Sequence, residues 1–112
     1  MNNIPEILNA QIKNVSIYYE DHGILTFGIA VDISDGTACV IGGYALDTYN
    51  NNTKKRQCCP YSMDLLTRIM KVVGVSKWED CEGKYIRVVS NGLGRSITKI
   101  GNFMKDEWLD IP

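Results

Sequence analysis

The sequence predicts an α+β fold: an antiparallel sheet of about five strands with one main helix packed on a face. The strands are expected as a three-strand meander, then the helix, then a hairpin. Three observations carry this expectation. Residues 24–33, ILTFGIAVDI, alternate between a strongly apolar and a weaker face, the period of a strand. Residues 62–73, SMDLLTRIMKVV, place apolar residues at helical spacing. Asp35-Gly36 and Asn91-Gly92 punctuate the β-rich stretches with dipeptides that favour hairpin turns.

In chain order, residues 10–19, AQIKNVSIYY, begin by alternating and are rich in β-branched and aromatic residues, as a first strand requires. In the second strand Leu25, Phe27, Ile29, Val31 and Ile33 share one face. Between the two, Glu20-Asp21-His22-Gly23 reads as a hairpin loop with a solvated acidic tip. A metal ion needs three or four ligands in fixed geometry, and three adjacent side chains cannot all point at one ion. No partner is nominated to tune His22 as a base. Residues 37–46, TACVIGGYAL, form a third strand, in which Gly42-Gly43 marks a bulge or a close approach of backbone or ligand.

Residues 47–59, DTYNNNTKKRQCC, are polar and irregular and read as a long exposed loop carrying Lys54, Lys55 and Arg56. The helix at 62–73 has Ser62 as expected N-cap and Gly74 as C-cap, with Leu65, Ile69, Val72 and Val73 on one stripe. Asp64 and Arg68 stand four apart on its exposed side. Ser76 and Glu79 have capping-box spacing, which predicts a helical turn at 77–81 ended by Gly83. Residues 84–90, KYIRVVS, and 95–101, RSITKIG, form the closing hairpin around Asn91-Gly92-Leu93-Gly94. The tail docks on the body through Phe103 and Trp108.

The 112 residues are read as a single domain, 1–112, large enough to hold a core without disulfides or metal. Twelve basic against thirteen acidic residues give a net charge of −1, which argues against a domain that lives on the phosphate backbone of nucleic acid. No apolar run is long enough for a membrane-spanning helix, and MNNIPEILNAQIKN lacks the pattern of a secretion signal. Cys39, Cys58, Cys59 and Cys81 contain no Cys-x-x-Cys pair. They are expected as reduced thiols of a cytoplasmic protein.

No catalytic residue, metal site or cofactor is expected. Cys58-Cys59 has no histidine near it to make a nucleophile dyad. The glycine-rich turn before Arg95 has neither the spacing nor the following helix of a phosphate loop. The candidate ligand-binding set is therefore Tyr44, Asp47, Tyr49, Lys54, Arg56 and Arg95. Tyr44 and Tyr49 offer stacking faces beside the glycines, and the basic side chains offer partners for an anion. A plain bulge, a solvated loop tip and a hairpin turn account for the same residues without a ligand.

Several stretches together resemble a family of small, mostly uncharacterised accessory proteins of tailed phages and prophages. They are EDHGILT at 20–26, GGYALD at 42–47, MDLLTRIM at 63–70, KWED at 77–80 with Gly83 and YIRV after it, and IGNFMKDEW at 100–108. Family members often carry further glycines and aromatics near Gly92, where this chain has Leu93 and Arg95. The resemblance implies a setting, the cytoplasm of a bacterium during phage infection, and no catalytic residues. Two functions follow as expectations. One is a non-enzymatic inhibitor of antiviral defence that sequesters a small nucleotide-like signal, with its pocket formed between copies in a homo-oligomer. The other is a protein-binding inhibitor of a host or defence protein such as a CRISPR effector, acting through a strand edge or the Trp108 tail.

Overall fold

The computed structural model describes residues 6–20, 23–90 and 97–112. Eight strands stand there in place of the five expected, with one α-helix. They are β1 (Glu6–Glu20), β2 (Ile24–Ile33), β3 (Ala38–Ala45), β4 (Asp47–Asn50), β5 (Lys55–Cys58), β6 (Tyr85–Ser90), β7 (Ile97–Asn102) and β8 (Trp108–Asp110). Helix α1 spans Pro60–Val73, and a 3-10 turn spans Trp78–Cys81. Six strands form one sheet in the order β3-β2-β1-β6-β7-β8, and β4 pairs with β5 as a separate hairpin. Every one of these pairs is antiparallel.

The long strand β1 joins the two halves of the sheet. Its first part, Glu6–Gln11, pairs with β6, and Ala10–Glu20 pairs with β2. A register shift between Ile12 and Asn14 marks a bulge where the partnership changes. Beyond the bulge β1 loses its β6 neighbour. Gly83 and Lys84 bond the backbone of Ile12, and the Glu82 carboxylate accepts the Val15 N–H at 3.2 Å.

The alternation in β2 places its apolar face on the core as expected. Phe27, Ile29, Val31 and Ile33 are buried there with Ala10 and Ile12 of β1, Ile86 and Val88 of β6 and Ile100 of β7. Helix α1 covers this face with Leu65, Leu66, Ile69, Val72 and Val73. Ile69 is fully buried, and its truncation to Ala would remove roughly 2–5 kcal/mol. Trp78 stands edge-on to Phe27, ring centres 5.9 Å apart, so it is a core residue. The sheet coils until its edges approach each other, and the Tyr44 hydroxyl of β3 donates to the Pro112 carbonyl just past β8.

Three local expectations are corrected. The helix begins two residues early because Pro60, with its fixed φ and no N–H to leave unpaired, occupies its first turn. Cys59 is the N-cap, and Ser62 is buried inside the turn. The stretch 47–59 is a hairpin rather than a loop. Asn50 makes the turn: its side-chain oxygen accepts the N–H groups of Asn52 and Thr53, and its carbonyl accepts that of Lys54, which adopts φ 56°. The tail adds a further strand, β8. The turn expected at 91–94, and Asp21 and His22, lie outside the described residues.

Gly42 shows which of its two readings applies. It sits at the register shift between β2 and β3 with φ 133°. A Cβ there would lie 2.6 Å from the Gly28 Cα and 2.7 Å from the Phe27 carbonyl oxygen. The glycine makes room for the neighbouring strand, and no ligand is needed to explain it. Gly42→Ala is expected to cost about 2–4 kcal/mol through strained φ and backbone overlap. Urea unfolding of both proteins would measure this, and a change within error of zero would show that the bulge relaxes freely.

Candidate functional site

The β4–β5 hairpin carries most of the expected ligand-binding residues, but it pairs two of the charged ones, Asp47 and Arg56, with each other. Across it Tyr49 stands opposite Arg56, and Asp47 opposite Cys58. The Arg56 guanidinium donates to the Asp47 carboxylate at 2.8 Å. The same carboxylate accepts the Leu25 N–H at 3.3 Å, which ties the hairpin to β2. The hydrogen bond from Arg56 holds the Asp47 carboxyl below its ordinary pKa, and the same bond raises that of Arg56. Tyr49, Lys54 and Lys55 remain exposed.

Tyr44 is on a different part of the surface. Its ring lies half-buried 5.8 Å from that of Phe27, and burial, with Tyr61 nearby, raises its pKa. It lines a recess of about 340 Å³ between β3 and the chain end, with Gly42, Ile97, Ile111 and Pro112. Asp47, Tyr49, Lys54 and Arg56 are not part of that lining. Arg95 lies outside the described residues. The structure therefore brings Asp47, Tyr49 and Arg56 together on one hairpin and leaves Tyr44 apart from them.

The most built surface is at the other edge of the sheet. Trp108 of β8 lies flat over Gly101 of β7, where a Cβ would come within 2.6 Å of the ring. The Arg87 guanidinium stacks on the same indole at 4.6 Å and donates to the carbonyls of Asn102 and Lys105. The indole N–H donates to Asp106 at 2.9 Å. Every part of Trp108 is thus fixed, and with it the line of β8.

Among the described residues, β8 bonds to β7 on one side only. The Glu107 carbonyl and the Ile111 N–H are used by β7, and Ile100 pairs with Leu109. By the alternation of an antiparallel ladder, the N–H and C=O groups of Trp108 and Asp110 point away from the sheet. They face a recess of about 380 Å³ whose far wall is α1, with Tyr61, Asp64, Leu65 and Arg68. Arg68 donates to Asp64 at 2.6 Å along that wall. The sequence marks Asp64 and Arg68 only as an exposed pair, and Trp108 as a residue of a docking tail that is one of two candidate protein-binding surfaces. Nothing in a three-residue strand signals that its open edge meets a helix.

The thiols separate by environment. Burial pushes the Cys81 thiol up to about 11, the state of an inert core residue. The N–H and hydroxyl of Ser62 in the first helical turn lower that of Cys59.

No family model, curated protein or solved structure matches the chain.

Asp47 gives the pH test of the hairpin. A carboxyl whose folded pKa is lowered contributes stability above its unfolded pKa and loses it as pH falls through the folded value. Asp47→Asn is expected to melt below wild type at neutral pH, the gap closing toward about pH 3. Thermal melts across that range check it. A pH-independent gap would mean that the ion pair with Arg56 contributes nothing.

Proposed function

We propose that this protein is a non-enzymatic binding protein that takes an extended segment of another polypeptide as an added strand along β8. One observation carries the reading: the outward N–H and C=O groups of Trp108 and Asp110 border a recess whose opposite wall is a helix. An open strand edge beside a helix supplies main-chain hydrogen bonds for affinity, and the wall supplies side-chain selectivity. Here the wall offers the Tyr61 ring and the Asp64–Arg68 pair. The rigid seating of Trp108 holds the edge ready, so little ordering free energy is lost on binding.

The partner we attach to this reading is a host or defence protein inside an infected bacterium. The likeness of the sequence stretches to phage accessory proteins is its support. Sequestration of a nucleotide-like signal draws less from the geometry. Arg56 is occupied by Asp47, and the Tyr44 hydroxyl by Pro112, which leaves Tyr49, Lys54 and Lys55 as the exposed remainder among the described residues.

Asp110→Pro tests the proposal with little risk to the fold, because proline removes an N–H that the β7 ladder does not use. Extended peptides selected from a random library on the intact protein serve as probes. They are expected to protect the Trp108 and Asp110 amides from hydrogen exchange. Their affinity for Asp110→Pro is expected to fall by about tenfold, the loss of one main-chain hydrogen bond. Selected peptides that leave both amides exchanging and bind the variant equally well would remove β8 from the account.

A further inference from the structure

Besides its outer strands β3 and β8, the sheet has an open edge in its interior. After Val15, β1 is bonded to β2 alone among the described residues. Val15 and its Glu82 partner show which way the backbone faces here: the groups of Val15, Ile17 and Tyr19 point toward the vacant side, while those of Ser16, Tyr18 and Glu20 serve β2. The side chains beside this edge are large and uncovered. Ile17 is 46% exposed, Tyr18 41% and Tyr19 71%. From Val15 to Tyr19 the strand carries no charge, no proline and no bulge, the devices that ordinarily blunt an edge, and Glu20 at its end is the one charged residue of the stretch.

We propose that this edge binds a second copy of the chain, the two β1 strands pairing antiparallel about a two-fold axis at Tyr18. The axis position follows from the limits of the edge. Glu82 closes it at Val15, and the strand ends at Glu20, so the vacant stretch is residues 16–20 with Tyr18 at its centre. A two-fold axis there pairs Ile17 with Tyr19 of the other copy, using the two residues whose backbone groups face outward. It sets Tyr18 against Tyr18 and Ser16 against Glu20, so no like charges are opposed. Pairing with its own copy meets the outward N–H and C=O groups of both Ile17 and Tyr19 and sets these exposed side chains against each other. Two partly exposed tyrosines and one isoleucine cover less than the roughly 800 Å² per partner of a standard interface, so the dimer is expected to be concentration-dependent.

Sedimentation equilibrium of the intact protein across micromolar concentrations is expected to show a monomer–dimer equilibrium. Ile17→Lys and Tyr19→Lys, at exposed positions and with unchanged circular dichroism, are each expected to weaken it by about tenfold or more. Register is read by cross-linking in a Cys58→Ser background. Tyr18→Cys would place two thiols in a non-hydrogen-bonded pair with Cα atoms about 4.5 Å apart, within disulfide reach. It is expected to give a covalent dimer under mild oxidation, whereas Ser16→Cys, about 13 Å from its symmetry mate, is not. A monomer at every concentration overturns the proposal, as does a dimer that neither lysine variant moves. Equal cross-linking of both cysteine variants overturns the register. Asp110→Pro, three strands away, is expected to leave the dimer intact, so failure here and failure at β8 are distinguishable.

Discussion

The fold depends on one short ladder, the backbone of Ala10, Gln11 and Ile12 bonded on both sides. Here alone β1 belongs at once to the β3-β2 half of the sheet and, through β6 and Lys84, to the β6-β7-β8 half. Ala10 and Ile12 are buried at that seam, so the apolar faces of the two halves meet as one core. The bulge that follows is a geometric necessity of the arrangement. It reverses which residues face β2, and so frees the end of β1 from the plane in which β6 runs.

The remainder of the structure closes what that ladder begins. Helix α1 lies over the common inner face, and the Asn102 side chain fixes it to β7 by donating to the Val72 carbonyl at 2.8 Å. The Asp47–Arg56 pair keeps the β4–β5 hairpin beside β2, and so positions the start of α1 opposite β8. The recess at β8 is thus the product of two distant anchors, one at the helix start and one at Trp108.

Much of this was legible in the sequence where apolar period and punctuation agree. β2 was read with its observed bounds, because Gly23 and Asp35-Gly36 delimit ten alternating residues. The helix face was read correctly from Leu65, Ile69, Val72 and Val73, and its end from Gly74. What escaped is held by side-chain detail rather than by period. The β4–β5 hairpin has no apolar alternation, and depends on the Asn50 turn and on an ion pair between residues nine apart. β8 is too short to announce itself and exists because Gly101 leaves space for an indole. Of the candidate site, Asp47, Tyr49 and Arg56 do lie together. The sequence does not reveal that the arginine there is already paired, since that pairing needs the register of a hairpin. Nor does it show open edges, because an edge is defined by a neighbour that is missing.

The division of β1 between two halves also sets an order of assembly on the ribosome. β1, β2 and β3 leave the exit tunnel early and pair locally. The strand that completes the Ala10–Ile12 ladder begins only at Tyr85, so some forty residues must be synthesised after Ala45 before it arrives. Until α1 (Pro60–Val73) has followed, Phe27, Ile29 and Val31 face outward from a three-stranded sheet with no helix to cover them. The nascent chain therefore shows chaperones an apolar surface that the finished protein hides, and a pause in translation before Pro60 would prolong its exposure to aggregation.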